Sequence, residues 1–312
     1  MDYYKELANQ VAKIDVEPTD TSYFSQPGPG LDPRLFSNGA LRPNVRNSVL
    51  ALVLNHLKTE YYNPEAWITV WLVGSGVSFQ WAAHRQPSDL DCLISVDYIK
   101  FRQANQPMEG FSDREIAADI NSGFKKILNQ AGENFLGEYD LTFYVNVNPS
   151  IPDLKPYAAY SVTADEWVVL PEMHTAPSKP EWESVVQADL SKTVDLIHRY
   201  SKTVEALSQA SNEAVIRNHE AMLNVIVQQG AGMFEDIHGR RSDAFSPTGE
   251  GYFDFNNYRW QAGKQSGAIP ALKKFHKLAK DSKARYEAMT YGVELPDTDI
   301  LIRRAINPRV AE

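Results

Sequence analysis

The spacing of apolar residues changes twice along this chain. Val45, Val49, Leu50, Val53 and Leu57 recur three and four apart, which predicts an amphipathic helix over Asn44–Lys58. Two short apolar runs follow, Ile68–Val73 and Leu90–Val96, and read as strands. A third strand is predicted over Glu138–Val147. It alternates, with Asp140, Thr142 and Tyr144 on one face and Leu141, Phe143 and Val145 on the other. Ser112-Asp113-Arg114-Glu115 has the spacing of a capping box and opens a helix to about Asn129. The proline-rich stretch 148–180 holds one further strand, Trp167–Leu170. From Trp182 the period is helical throughout, over 181–208, 211–235 and 268–290, with Pro270 tolerated in a first turn.

Turn residues mark the connections. A short helix is expected at the very start, and EPTDTSYFSQPGPGLDPRLF then reads as a loop draped over the surface. HGRRSDAFSPTGEGYFDFNNYRWQAGKQSG reads as a glycine- and aromatic-rich connection between helices. The expectation is an α+β protein in three parts. These are an N-terminal extension (1–43), a mixed-sheet domain flanked by helices (44–175) and a helical domain (176–312).

Chemistry concentrates between Trp67 and Asp97. The first strand ends in Gly74-Ser75-Gly76, and the second opens with Asp89 and Asp91. Residues two apart on a strand share a face, so those carboxylates converge. Asp140 stands near the start of a separate strand, among residues that would bury it. Three aspartates together repel one another in a low-dielectric cleft unless a cation sits among them. Magnesium takes oxygen ligands, commonly one or two carboxylates plus substrate phosphates. Glycines let backbone approach an anion, and the Ser75 hydroxyl can donate to a phosphate oxygen. Asp97 shares parity with Asp91 but falls at a strand end, as a turn residue. Glu138 shares parity with Asp140 and stands as an alternative third ligand.

The order of these pieces resembles the DNA polymerase beta nucleotidyltransferase superfamily, which includes tRNA-end-adding enzymes, poly(A) polymerases and antibiotic nucleotidyltransferases. The pattern is a hydrophobic strand with Leu72-Val73-Gly74-Ser75, a gap of thirteen residues, Asp89-Leu90-Asp91-Cys92, and a third acid within Tyr139-Asp140-Leu141. The resemblance covers positions 67–146. It implies a small mixed-sheet nucleotidyltransferase core with a C-terminal helical domain that contacts nucleotide and acceptor. It also implies an activity: transfer of a nucleoside monophosphate from a nucleoside triphosphate to a hydroxyl, with pyrophosphate release. Asp89 and Asp91 would hold two magnesium ions (manganese being an alternative), and Asp140 would ligate the one at the acceptor hydroxyl. Gly74, Ser75 and Gly76 would bind the triphosphate. In the helical part Tyr258 is a candidate for stacking on the base, with Arg259 and Trp260 beside it. Arg241 and Lys264 are candidates for the polyphosphate, next to Arg240 and Ser242.

Two further readings stay open: a nucleotide- or partner-binding protein of the same fold without turnover, and a nucleotidyl modifier of a partner protein. The acceptor is unassigned among RNA ends, nucleotides, small molecules and proteins. Composition narrows the setting. The single cysteine, Cys92, falls on the opposite strand face from the aspartates and reads as a buried small hydrophobe. No apolar run nears the ~20 residues of a membrane span, and MDYYKELANQ lacks a signal core, so a cytoplasmic, membrane-free protein is expected. The seven histidines form no metal-ligand spacing. A net charge of −9 argues against a broad nucleic-acid footprint, although Lys264–Arg285 holds a local run of seven basic residues.

Overall fold

The computed structural model describes residues 14–81, 88–147 and 150–291. The short helix expected at the start of the chain lies outside them. Among the described residues, 22–175 form one compact unit, and 176–291 with 14–21 form another. The protein is mixed α+β. Among the described residues no helix is long and apolar enough to cross a membrane.

The first unit opens with a two-residue hairpin, β1 (Phe36–Ser37) and β2 (Ala40–Leu41). Helix α1 (Pro43–Glu60) follows, three residues longer than its apolar period, with Pro43 accepted in the first turn and Thr59 and Glu60 added at the end. A five-stranded sheet then assembles from β3 (Ile68–Val73), β4 (Ser88–Val96), β5 (Tyr139–Val145), β6 (Ala159–Ser161) and β7 (Glu166–Val169). Its order is β5-β4-β3-β6-β7, with β4 parallel to β5 and the other pairings antiparallel. A parallel pair needs a crossover connection. Here it passes through α2 (Tyr98–Ala104), capped by Asp97, and α3 (Asp113–Gly123), where Ser112 and Glu115 form both bonds of the capping box. One π turn, Phe124–Leu128, widens the helix before it ends near Ala131.

Strand parity divides the core. Val70, Leu72, Leu90, Cys92, Ile94, Leu141, Phe143 and Val145 face α1 and α3 and belong to the main hydrophobic cluster. On the other face Trp71, Val73 and Leu93 join a smaller cluster with Ile151 and Leu154. The segment expected to lie on the surface instead contributes Leu35 and Phe36 to the main cluster, and Phe36 stacks on Trp167 at 5.3 Å. Its prolines and glycines set the turns, while the few large side chains between them are buried.

The second unit comprises α4 (Pro180–Gln209), α5 (Glu213–Ala244), α6 (Phe255–Gln265) and α7 (Ala268–Tyr291). Helix α5 runs well past residue 235. Helix α6 occupies the stretch read as a connection, and Asp254 caps it by accepting the Asn256 N–H at 2.7 Å. Its buried positions are Asn257, Tyr258, Gln261, Ala262 and Gly263, too polar or small to form an apolar stripe. Arg259 joins α6 to its neighbours. Its guanidinium donates to both oxygens of Asp189 on α4, at 2.6 and 3.0 Å, and contacts Asp236 on α5 at 3.3 Å.

Gly230 lets α5 and α7 approach. A Cβ there would stand 2.6 Å from Cγ of Phe275, which is fully buried. Gly230→Ala is therefore expected to destabilise the helical unit by about 1–3 kcal/mol. A shift of the chemical-denaturation midpoint measures it. Gly232→Ala, exposed in the same helix and meeting no atom within 4 Å, is the control and should stabilise by up to about 1 kcal/mol.

Candidate functional site

The β4–β5 register decides where the acids lie. Asp89 pairs directly with Asp140, and Asp91 with Thr142. Directly paired residues on neighbouring strands share a face with Cβ atoms about 5 Å apart. Asp89, Asp91, Asp140 and Thr142 therefore stand together on the face away from α1 and α3. Asp89 is exposed, and the other three are half-buried. The Thr142 hydroxyl donates to Oδ1 of Asp91 at 3.3 Å and restrains that carboxylate. Deeper along the same face the neighbours become apolar: Val73 pairs with Asp91, and Trp71 with Leu93. The cluster is thus exposed at Asp89 and bordered by buried apolar side chains beyond Asp91.

The glycine turn meets the acids directly. Gly74 has φ +88°, a conformation L side chains rarely adopt, and its N–H donates to the Ala158 carbonyl at 3.2 Å. A Cβ on Gly74 would lie 3.2 Å from Oδ2 of Asp91. Gly76, within the 3-10 turn Ser75–Val77, is pressed on β4, where a Cβ would stand 2.7 Å from Cδ2 of Leu90 and 2.9 Å from the Asp89 carbonyl. Ser75 is half-buried beside them, and its carbonyl accepts from the Ser78 N–H and hydroxyl. Glycine at 74 lets the backbone lie against the Asp91 carboxylate, and glycine at 76 lets it lie against the β4 backbone and Leu90.

The remaining acids have other partners. Asp97 caps α2 and pairs with Lys100 at 3.0 Å. Glu138 is paired with Arg34, which leaves Asp140 as the third acid of the face. Cys92 points to the helix-covered side, fully buried, and burial with the Asp91 charge next to it pushes its thiol well above the ordinary range. Among the described residues no three His, Cys, Asp or Glu side chains are close enough to form a ready-made metal site. The donor set nevertheless suits a hard divalent ion. Asp89, Asp91 and Asp140 offer carboxylate oxygens, the ligand type such an ion takes, on one face of the sheet.

The helical-unit candidates are placed differently from one another. Tyr258 is buried, 6 % exposed, its ring 5.3 Å from that of Trp182, so it belongs to the packing of that unit and offers no open ring face for a base. Burial, with Glu183 nearby, raises its hydroxyl pKa. Arg259 is committed to Asp189 and Asp236, and Arg240 pairs with Asp236 at 2.8 Å. Lys264 ends α6, and its carbonyl accepts the Thr19 hydroxyl at 2.9 Å. Arg241 lies over the Trp260 ring at 5.2 Å, and its Nε is buried without a hydrogen-bond partner. Compared with known proteins, the chain matches no family model, no curated protein and no solved structure.

Sequence reading missed two supports of the site. Thr142 shares parity with Asp140, but its contact with Asp91 requires the strand register. The second support is Asp32, 1 % exposed, which holds Arg34 through Nε at 2.9 Å and Nη2 at 2.7 Å and accepts the Tyr139 hydroxyl at 2.8 Å. This cluster fixes the residue immediately before Asp140.

Burial pushes the Asp32 carboxyl up, but the hydrogen bonds from Arg34 and Tyr139 outweigh it and hold the group below 3.8. A carboxyl depressed in the folded state stabilises the fold above its unfolded pKa and loses that contribution as pH falls through its folded value. Asp32→Asn should therefore cost about 1–3 kcal/mol at neutral pH. The deficit against wild type should stay level down to about pH 5 and close in more acid solution. Denaturation curves of the two proteins across pH measure the difference.

Proposed function

We propose that this protein is a metal-dependent nucleotidyltransferase, moving a nucleoside monophosphate from a nucleoside triphosphate to a hydroxyl acceptor with release of pyrophosphate. The observation that carries the reading is the pairing of Asp89 with Asp140, with Asp91 on the same face and the Gly74 backbone against its carboxylate. Its motif order is that of the polymerase-beta-like superfamily, and the mixed sheet with one parallel edge pair is compatible with such a core.

In this reading Asp89 and Asp91 hold two divalent ions, and Asp140 holds the one nearer the acceptor. When bound, such ions neutralise the triphosphate and make the acceptor hydroxyl more acidic. Gly74, Ser75 and Gly76 position the β- and γ-phosphates through close backbone approach and the Ser75 hydroxyl. Thr142 keeps Asp91 turned toward the face. The acceptor oxygen forms a new bond to the α-phosphorus as the bond from that phosphorus to the bridging oxygen breaks. The bridging oxygen leaves with its electron pair as pyrophosphate, and the hydroxyl proton passes to Asp140. In-line geometry and charge neutralisation supply most of the acceleration for such a transfer.

Asp91→Asn removes one negative charge while keeping the side chain's size. It is expected to lower magnesium-dependent pyrophosphate release by ~10³-fold or more, about 4 kcal/mol of transition-state stabilisation. Its metal-free stability should be equal to or above wild type, because two facing carboxylates lose a repulsive neighbour. Release is measured with each of the four triphosphates and magnesium against varied acceptors, beside metal-free melting curves. Wild-type turnover in the variant overturns the assignment. Saturable triphosphate binding with no product in the wild-type protein places it instead among nucleotide-binding proteins without turnover.

A further inference from the structure

Helices α5, α6 and α7 assemble a basic face that the chemistry of the sheet does not use. Its centre is Arg241, whose guanidinium lies 5.2 Å from the Trp260 ring and 5.8 Å from the Phe245 ring, with Nε buried and unpartnered. Two aromatic rings fix this side chain before any ligand arrives, which reduces the entropy lost on binding. His238 stacks on Phe234 at 5.6 Å and meets the Trp260 edge at 5.3 Å. Partial burial, and then the positive groups Arg241, His276 and Lys273 beside it, hold its imidazole below the ordinary value. The acid in contact here is Glu235, 3.4 Å from Nδ1 of His276.

Helix α7 extends the charge. Lys273, Lys274, Lys277 and Lys280 are all exposed, and among the described residues none has a carboxylate partner. Lys273, Lys277 and Lys280 recur at four and three residues, so they follow one helix face over about 10 Å. In a chain of net charge −9, whose neighbouring Arg240 and Arg259 are neutralised by aspartates, five basic side chains without acid partners form a marked local excess. A compact triphosphate would occupy one end of such a row. A track of this length matches successive phosphates of a polynucleotide backbone.

We infer that this face binds the phosphodiester backbone of a single-stranded nucleic acid, an inference that stands apart from the nucleotidyl-transfer reading of the sheet. Arg241 grips one phosphate in a preset orientation, and the α7 lysines follow the next ones as point charges. Contacts to the backbone carry little sequence information, so binding is tolerant of sequence and steeply salt-dependent.

The test is fluorescence anisotropy of a fluorescein-labelled oligouridylate with the full chain in EDTA, where no transfer occurs. Wild type is expected to bind with affinity that falls as salt rises. Arg241→Gln should weaken binding about tenfold, and Lys273→Gln with Lys277→Gln by at least as much, each lost phosphate contact flattening the log–log salt slope by about 0.7. Asp91→Asn should bind as wild type does, so failure of transfer and failure of strand binding are read separately. No saturable binding at low salt, or lysine variants with wild-type affinity and slope, overturns the inference. So does tripolyphosphate displacing the strand as effectively as unlabelled strand at equal phosphate concentration, since the face would then be a triphosphate site.

Discussion

The parallel, in-register pairing of β4 with β5 is the constraint on which the sheet unit depends. Side-chain parity alone puts Asp89 and Asp91 on a common face. Only the register adds Asp140, by setting it opposite Asp89. A slip of one residue would turn Asp140 to the helix-covered side and push Leu141 and Phe143 out of the core, at a cost of several kcal/mol of buried apolar surface. Burial on one face thus enforces the arrangement of charge on the other.

An edge strand is open to slippage and foreign pairing, and β5 is the sheet's edge. Helix α3 and the turn after it close that edge. Asn121 accepts the Val145 N–H at 2.6 Å and donates to its carbonyl, and Asn129 accepts the Phe143 N–H at 2.8 Å. Gly132 accepts from the Leu141 N–H at 3.1 Å at a point where a Cβ would overlap the Leu141 carbonyl. Two asparagines and a glycine hold β5 by its unpaired side while Asp32 and Arg34 hold its entry through Tyr139. The crossover that creates the parallel pair also supplies the groups that lock its register.

Much of this was legible in the residues. Ile68–Val73 coincides with β3, the capping box stands at Ser112, and the alternation of Leu141, Phe143 and Val145 with Asp140 and Thr142 matches the burial of β5. What stayed hidden has physical causes. Helix α6 packs through Asn257, Gln261 and Gly263, which carry no hydrophobic period. The segment 22–41 is punctuated by turn residues, so Tyr23, Leu35 and Phe36 looked like isolated hydrophobes until the fold buried them. The triad was legible by type but not by proximity, because parallel pairing across more than forty residues leaves no local signal. Among the helical candidates, composition could not separate Arg259, bound to two aspartates, from Arg241, which has none.

The two basic systems of the helical unit show how one residue type serves opposite ends. Arg259, with side-chain exposure of 14 %, exchanges its hydration for a bidentate bond to Asp189, exposed 10 %. Removing one member would strand a buried charge, so the pair enforces the α4–α6 contact more than it adds net stability. Arg241 has exchanged water for aromatic faces, which satisfy a cation's field only in part and leave its N–H donors directional. On the sheet, like charges occupy directly paired positions, Asp89 opposite Asp140, so there it is the burial of the opposite face that maintains the register. Buried charges at Asp32–Arg34 and Asp189–Arg259 are settled by close partners of opposite sign, whereas Arg241 lies against two rings with its Nε unpartnered, so charge pairing holds the first two in place and aromatic packing the third.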